Sequence, residues 1–338
     1  MSVAAIKTKL ECIRTILLWI PESQRLQAVS VQDESGCTVL HNIATRRRYN
    51  EDVRTILELL PGSQRLQAVN LKSRHNYTVL HSAARSGNFA HVQSLLGSLT
   101  ESERLHAVSL PDPDGNTTVR YVVGSGNIET IKSILPLYPE SQHLQILSTP
   151  CCRQGETALH CAAGSGKLES IKFFLAMYTE SQLLQAVCRQ DRQGKTVLHR
   201  AVRNPESIEV ILAVLPESER LQVVNMRDFQ GDTTLHYAAR SDYPESIELL
   251  LAIYPESQLL QAVSLPNTEG MTVLHYVATS RKFDVMRDIL TLYPKSQRLQ
   301  AMCFKDGNAR TLLHHVVNSG NLDSIRDTMR LLPKSQRL

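Results

Sequence analysis

The chain has 338 residues, of which 42% are hydrophobic and 21% are charged, a balance that predicts a folded protein and excludes intrinsic disorder. The formal net charge of +4 comes from interspersed positive and negative residues, whereas nucleic-acid binding needs a concentrated basic surface. No apolar run approaches the length of a membrane span, so we expect neither nucleic-acid binding nor membrane insertion.

The N-terminal segment predicts one long helix, residues 5–20, which leads into the decapeptide PESQRLQAVS at 21–30. Because no turn or shorter helix precedes it, we interpret residues 1–30 as an N-terminal capping half-repeat, in which Trp19, the only tryptophan, is expected to pack. Charged residues between Lys7 and Arg14 interrupt the apolar core that a signal peptide requires. The seven cysteines form no CxxC pair, which favours free thiols in a reducing compartment. We therefore expect a cytoplasmic protein.

Two landmarks recur along the rest of the chain with one period of about 39 residues, and such self-similarity indicates a repeat architecture. The serine of the decapeptide recurs at Ser23, Ser63, Ser102, Ser141, Ser181, Ser218, Ser257, Ser296 and Ser335. The threonine of a second motif recurs at Thr38, Thr78, Thr117, Thr157, Thr196, Thr233, Thr272 and Thr311. We therefore predict eight repeats over residues 31–332, followed at 333–338 by the start of a further, truncated repeat.

Each repeat predicts the same series of local structures. It opens with a turn, because an aspartate such as Asp228 lies three residues before a glycine such as Gly231, and glycine accepts a positive φ. Asn76 takes the place of the glycine in the second repeat and tolerates that conformation, whereas Ala309 in the eighth predicts a strained or altered turn. A short helix ended by glycine, a longer amphipathic helix and a third helix over the decapeptide follow.

The turn, the D-x-x-G-x-T-x-L-H motif and the two helices after it resemble the ankyrin repeat. Seven of the eight copies keep Thr-x-Leu-His, while Val119 and Arg120 replace Leu and His in the third. The copies lack the family's usual proline after threonine and exceed its 33 residues by about six, in the decapeptide. Tetratricopeptide and HEAT repeats are less similar because they have no Asp/Gly turn before each helix pair.

The resemblance implies an all-α repeat solenoid, an ankyrin-type stack of about eight repeats, each with a finger turn, a helix-turn-helix and an extra short helix. In such stacks the turns project as fingers, the short helices line the concave face and the longer helices form the convex face. The motif histidines, from His41 to His314, are then scaffold residues that bond their own turn and the next repeat, and we predict no metal site. The sequence has no nucleophile elbow, Walker loop, HExxH motif or dinucleotide fingerprint, so we predict a non-enzymatic protein without a cofactor.

Partners of ankyrin stacks usually contact the fingers and the exposed positions of the short helices. Here the position after each motif histidine and the position three residues further vary, and they lie about one turn apart on one helix face. In repeats five to seven these positions carry tyrosine and arginine, the residues enriched in interface hot spots. We therefore predict a partner-binding site formed by Arg200, Arg203, Phe229, Tyr237, Arg240 and Tyr276. The alternative is that the tyrosines pack between repeats and the arginines are solvated.

Two functions follow as hypotheses. The first is a monomeric, non-enzymatic scaffold that binds a partner protein, and the second is a recognition module of a larger enzyme or effector whose catalytic domain lies beyond residue 338. The long, homogeneous repeats also resemble the ankyrin-repeat effectors that intracellular bacteria such as Legionella deliver into host cells. That resemblance implies a role in the host cytosol and a host protein as the partner.

Overall fold

The computed structural model describes residues 3–46, 52–151, 154–280 and 282–319, with the single positions 326 and 330. Over these residues the fold is an all-α repeat solenoid, as the sequence predicts. The chain forms two compact halves, residues 1–152 and 153–338, which we call the N-terminal and C-terminal halves. The truncated repeat predicted at 333–338 lies outside the described residues.

The N-terminal half contains eleven described α-helices and one 3₁₀ turn at Leu135–Leu137. The helices are α1 (Val3–Trp19), α2 (Glu22–Ser30), α3 (Val39–Ala44), α4 (Asp52–Glu58), α5 (Gly62–Val69), α6 (Val79–Arg85), α7 (Phe89–Gly97), α8 (Glu101–Ser109), α9 (Thr118–Ser125), α10 (Ile128–Ile134) and α11 (Glu140–Ser148).

The C-terminal half continues the same order. Its described helices are α12 (Ala158–Gly164), α13 (Leu168–Ala176), α14 (Glu180–Cys188), α15 (Val197–Ala201), α16 (Pro205–Ala213), α17 (Glu217–Val224), α18 (Thr234–Arg240), α19 (Pro244–Leu251), α20 (Glu256–Ser264), α21 (Val273–Thr279), α22 (Phe283–Leu292), α23 (Arg298–Met302) and α24 (Leu312–Ser319). Within a repeat we call them the first helix (α15, for example), the second helix (α16) and the third helix (α17).

The turn before each first helix, which we call the finger, closes on itself through a backbone hydrogen bond to a residue with positive φ. Gly231, at φ +77°, donates its N–H to Asp228 O at 2.9 Å. Asn76 and Ala309 take the same conformation, at φ +59° and +58°. Ala309 also donates to Asp306 O at 2.9 Å, so this finger keeps its shape and carries the strain of a left-handed alanine.

The motif threonine and histidine begin the first helix with a reciprocal cap. In the fifth repeat, Thr196 N–H donates to His199 Nδ1 at 3.1 Å, and the threonine hydroxyl lies 2.8 Å from the same nitrogen. This arrangement satisfies backbone donors that a helix start would leave unpaired. The capping box recurs at α3, α6, α12, α15, α18 and α21.

The core lies between equivalent helices of neighbouring repeats. In the C-terminal half, first helices α12 and α15, α18 and α21, and α21 and α24 pack against each other, as do the second helices α13, α16 and α19. The apolar stripe predicted for the second helix is confirmed in α16, where Ile208, Ile211 and Leu212 are buried, as is Leu215 just after the helix. Each repeat therefore covers its apolar face with its neighbours, as expected of a solenoid.

The decapeptide forms the third helix of about two turns, as predicted, and its arginine has a capping role that the sequence did not reveal. Arg104 Nε donates to Leu96 O at 2.8 Å and to Leu99 O at 3.0 Å, at the end of α7. Arg25 makes the equivalent bond to Leu17 O at 2.9 Å, and Arg220 bonds Leu215 O at 3.1 Å. A cation at this position satisfies terminal carbonyls and complements the helix dipole.

The expected packing of Trp19 is wrong. Its side chain is 84% exposed, whereas Leu17 is 3% exposed. The two residues differ because α1 packs with one face on α4, and Leu17 belongs to that face. Trp19 is the last residue of the helix and faces away from it.

Candidate functional site

Three first helices of the C-terminal half, α12, α15 and α18, enclose one side of an open cavity of about 540 Å³. Four cationic side chains line it, together with one carboxylate, one tyrosine and two of the motif histidines. The charged, histidine and aromatic lining residues are Glu156, His160, Lys195, His199, Arg200, Arg203, Tyr237 and Arg240. Four of the six predicted site residues are therefore brought together at this cavity.

Arg200 is committed to the framework of the cavity. Its guanidinium Nη2 lies 2.7 Å from Glu156 Oε1 and 2.7 Å from Asp191 Oδ2, and the Asp191 side chain is fully buried. Burial raises the pKa of the Asp191 carboxyl, but the bond from Arg200 and backbone amide donors outweigh burial and hold that pKa below its ordinary value. This arginine thus ties the finger of the fifth repeat to the first helix rather than standing free.

Tyr237 is mostly buried, at 9% exposure, which corrects the expectation of an exposed contact residue. Its phenol donates to Asp228 Oδ2 at 2.8 Å, and the His199 ring meets its ring edge-on at 5.1 Å between centroids. Burial first, and then the bond to Asp228, raise the pKa of this phenol. The ring therefore serves as a fixed wall of the cavity.

Two cations lie over the ring of Tyr237. Arg240 Cζ is 4.7 Å and Lys195 Nζ is 5.2 Å from its centroid, both within the range of a cation–π contact. Burial and the charge of Arg200 lower the pKa of Lys195. Arg203 lines the same cavity and is exposed. Among the residues that the structure describes, none of these three cations has a carboxylate within salt-bridge distance.

Tyr276 belongs to the next repeat and is linked to the cavity through Arg240, whose Cζ also lies 5.6 Å from the Tyr276 ring centroid. The Tyr276 phenol donates to Asp232 Oδ2 at 3.2 Å and accepts from Asn267 Nδ2 at 3.1 Å. Tyr276 and Arg240 also line a second cavity of about 470 Å³, together with Asp306 and His315. Arg240 therefore stands between two cavities.

Phe229 lies at the tip of the sixth finger and does not line the first cavity. Its side chain is 70% exposed, while its backbone N–H donates to Gln193 O of the preceding finger at 3.0 Å. The same finger-to-finger bond runs from Thr268 N–H to Gln230 O at 2.9 Å. The fingers are thus linked in register, and the Phe229 ring is an apolar contact on a fixed backbone.

The repeat geometry agrees with a known protein family. The family described as ankyrin repeats (3 copies) matches residues 1–104, 120–222 and 181–258, which together exceed half of the chain. The chain belongs to the ankyrin-repeat family. No curated protein matches this ankyrin-repeat chain. Within its described residues, none of the helices has both the length and the apolar character needed to cross a membrane.

The motif histidines of this ankyrin-repeat protein act as the resemblance implies. Their second ring nitrogen, Nε2, reaches a backbone carbonyl of the next repeat, as in His199 to Asp232 O at 3.1 Å and His236 to Leu265 O at 3.0 Å. Burial lowers the pKa of His199 to about 4. His81 is an exception, because its Nε2 is buried without a partner in the described structure. It faces the third repeat, the one that lacks the Leu-His pair.

In six of the eight repeats, the residue that follows the motif-histidine position has a structural role that sequence reasoning missed. It bonds the finger residue nine positions earlier, so that the first helix holds its own finger. The pairs are Asn42 with Asp33 at 2.8 Å, Tyr121 with Asp112 at 2.5 Å, Arg200 with Asp191 at 2.7 Å, Tyr237 with Asp228 at 2.8 Å, Tyr276 with Asn267 at 3.1 Å and His315 with Asp306 at 3.0 Å. The sequence did contain a signal for this role, because each of these helix side chains can form a hydrogen bond to a carboxylate or an amide. It was hidden because the residue types differ.

Proposed function

We propose that this ankyrin-repeat protein is a non-enzymatic scaffold that binds a partner protein through the first-helix face and the fingers of its fourth to seventh repeats. Ankyrin repeats are protein-interaction modules, and the family match covers most of these repeats. The observation that carries the assignment is the cavity beside Tyr237, where Arg203 and Arg240 face solvent with no carboxylate partner among the described residues. Arginine on an aromatic platform is a frequent hot-spot arrangement.

The six proposed site residues take different parts in this scaffold. Arg203, Arg240 and Phe229 are exposed and would contact the partner directly. Tyr237 and Tyr276 would support Arg240 from below. Arg200 would keep the first helix and finger of the fifth repeat in place through its two carboxylates.

A binding role rather than a catalytic one is favoured by the state of the histidines that line the cavity. His160 and His199 are buried, and both ring nitrogens of each are within hydrogen-bond distance of the scaffold. Burial lowers the pKa of both. A general base needs a reachable nitrogen, and the scaffold contacts of these two histidines leave neither ring nitrogen free. The host partner implied by the resemblance to bacterial effectors stays a prediction.

Affinity purification with three forms of the full chain tests the proposal. The forms are wild type, the double variant Arg203→Glu/Arg240→Glu, and the control Arg85→Glu. Arg85 occupies the same position of the second repeat and lies over a tyrosine, with its Cζ 4.9 Å from the Tyr77 centroid. We expect a partner that is enriched by wild type and by the control and lost with the double variant. Full retention by the double variant would show that the site lies elsewhere.

A further inference from the structure

Charged side chains of both signs lie in and beneath the lining of the cavity beside Tyr237. Its lining carries four cations, Lys195, Arg200, Arg203 and Arg240, and one carboxylate, Glu156. Two more carboxylates lie beneath the lining and bond to it, namely Asp191 to Arg200 and Asp228 to Tyr237. A fourth carboxylate, Asp232, is buried in the same region and accepts from Asn267 Nδ2 and the Tyr276 phenol. The positive and negative groups are thus equal in number, yet Arg203 and Arg240 have no carboxylate within salt-bridge distance among the described residues.

Each of these carboxylates already has an ion-pair or hydrogen-bond partner within the protein. Glu156 and Asp191 share the guanidinium of Arg200. Asp228 accepts from the Tyr237 phenol at 2.8 Å and from the backbone N–H groups of Gln230 and Asp232, each at 2.9 Å. They cannot turn toward Arg203 or Arg240 without breaking these bonds. Arg203 and Arg240 therefore face the open cavity with no carboxylate of the described residues available to pair with them.

From these two exposed arginines we infer that the cavity binds the carboxylate of an aspartate or glutamate in an acidic segment of the partner, which pairs with Arg203 and Arg240. Charged hydrogen bonds to arginine are the strong ones in protein recognition, and the planar guanidinium suits a carboxylate. The inference rests on the proposed function and specifies the chemistry of its partner.

The carboxylates around the cavity favour a bound carboxylate over a phosphorylated side chain. A carboxylate carries one negative charge and so adds the smaller negative charge to a region that already holds four carboxylates. A phosphate monoester carries about −1.5 to −2 at neutral pH and would leave excess negative charge beside Glu156, Asp191 and Asp228.

Bead-bound decapeptide libraries of otherwise random sequence provide the test, with the central residue fixed as glutamate, glutamine or phosphoserine. Purified full chain is passed over each library, and the retained fraction gives the relative affinity. We expect retention on glutamate to exceed retention on glutamine about tenfold, a factor that corresponds to about 1.4 kcal/mol. Phosphoserine should retain no more protein than glutamate.

Substitutions of the two arginines, with a matched control, show whether they cause the glutamate preference. Arg203→Gln and Arg240→Gln should each reduce the glutamate preference at least about threefold, whereas Arg85→Gln, at the same position of the second repeat, should leave it unchanged. Circular dichroism and the urea midpoint verify that each variant is folded. Equal retention on glutamate and glutamine, stronger retention on phosphoserine, or equal losses in all three variants would each overturn the inference.

The result separates this inference from the proposed function. A partner that is lost from Arg203→Glu/Arg240→Glu while the libraries show no glutamate preference would leave the scaffold and its site in place and remove only the acidic segment. A glutamate preference that depends on Arg203 and Arg240 would support both.

Discussion

The Tyr237 hydroxyl donates to Asp228 Oδ2 at 2.8 Å, and through this bond the first helix of the sixth repeat holds its own finger. The two residues are nine positions apart, and five other repeats pair the same positions with different chemistry. Arginine, histidine, asparagine and tyrosine all take the helix position. In these six repeats, a position that varies in residue type therefore keeps one structural role.

Removing this bond should loosen the sixth finger. Tyr237→Phe keeps the ring under Lys195 and Arg240 but leaves Asp228 without its side-chain donor, so we expect a loss of about 1–2 kcal/mol. Hydrogen exchange of residues 226–233 measures the local effect. Tyr243→Phe removes the hydroxyl of a tyrosine that is 42% exposed and should change nothing. Identical exchange in both variants would show that the Tyr237 bond does not hold the finger.

Arg200 and Arg203 should behave differently although the sequence places them in one site. Arg200→Ala leaves the fully buried Asp191 carboxylate without its cation, and we expect a loss of about 2 kcal/mol. Arg203→Ala removes an exposed side chain and should stay within about 0.5 kcal/mol of wild type. Urea unfolding of the full chain measures both. Equal losses would contradict the framework role of Arg200.

Removing the decapeptide arginine should lower stability, and introducing it into a repeat that lacks it should raise stability. Arg104→Leu removes the bonds to Leu96 O and Leu99 O and should cost about 1 kcal/mol. The fourth repeat already has leucine at this position, Leu183, so Leu183→Arg should add a cap at the end of α13 and raise the urea midpoint. A neutral result for both substitutions would mean that water satisfies these carbonyls equally well.

The eighth finger should gain stability from a glycine. Ala309 has φ +58°, a conformation that costs an L-residue about 1–2 kcal/mol, so Ala309→Gly should stabilise this finger. The reverse change at an equivalent position, Gly231→Ala, would place a Cβ 3.0 Å from Thr268 N and should destabilise. Local hydrogen exchange distinguishes the two, and slower exchange in Gly231→Ala than in wild type would refute the strain argument.

The buried histidines predict a loss of stability in mild acid. Burial lowers the pKa of His199 from 6.5 to about 4, so the unfolded chain binds protons first as the pH falls. The stabilisation is complete above pH 6.5 and declines toward pH 4, by about 3 kcal/mol for this residue. Burial also lowers the pKa values of His41, His81, His160, His236 and His275. Urea midpoints at pH 7.5 and 5.0 should differ, and the non-titrating His199→Gln should reduce that difference. An unchanged difference would contradict the assignment.

The aspartates of the fingers lose their contribution to stability at a lower pH than the histidines do. Hydrogen bonds that outweigh burial lower the pKa values of Asp112 and Asp191 below 3.8. Their contribution is present above that value and is lost as the pH falls through the lowered pKa. Loss of stability between pH 6.5 and about pH 5 therefore reports mainly on histidine.

The amino-acid sequence by itself determined the repeat, its period, the order of turn and helices, and the family. These properties depend on local chemistry, because glycine at a positive φ, proline at a helix start and an apolar stripe act within one repeat. The burial of Ile208 and Ile211 and the left-handed Asn76 could accordingly be predicted without any structure.

The tertiary structure decided which of the candidate site residues are available to a partner. Spacing placed Arg200, Arg203, Tyr237 and Arg240 on one face, and the cavity does bring them together. Spacing could not show that Tyr237 and Arg200 are bound to finger carboxylates while Arg203 is exposed, nor that Trp19 faces away from its helix partner. Burial and hydrogen bonding depend on which groups meet across repeats, and that information is not contained in the order of residues within one repeat.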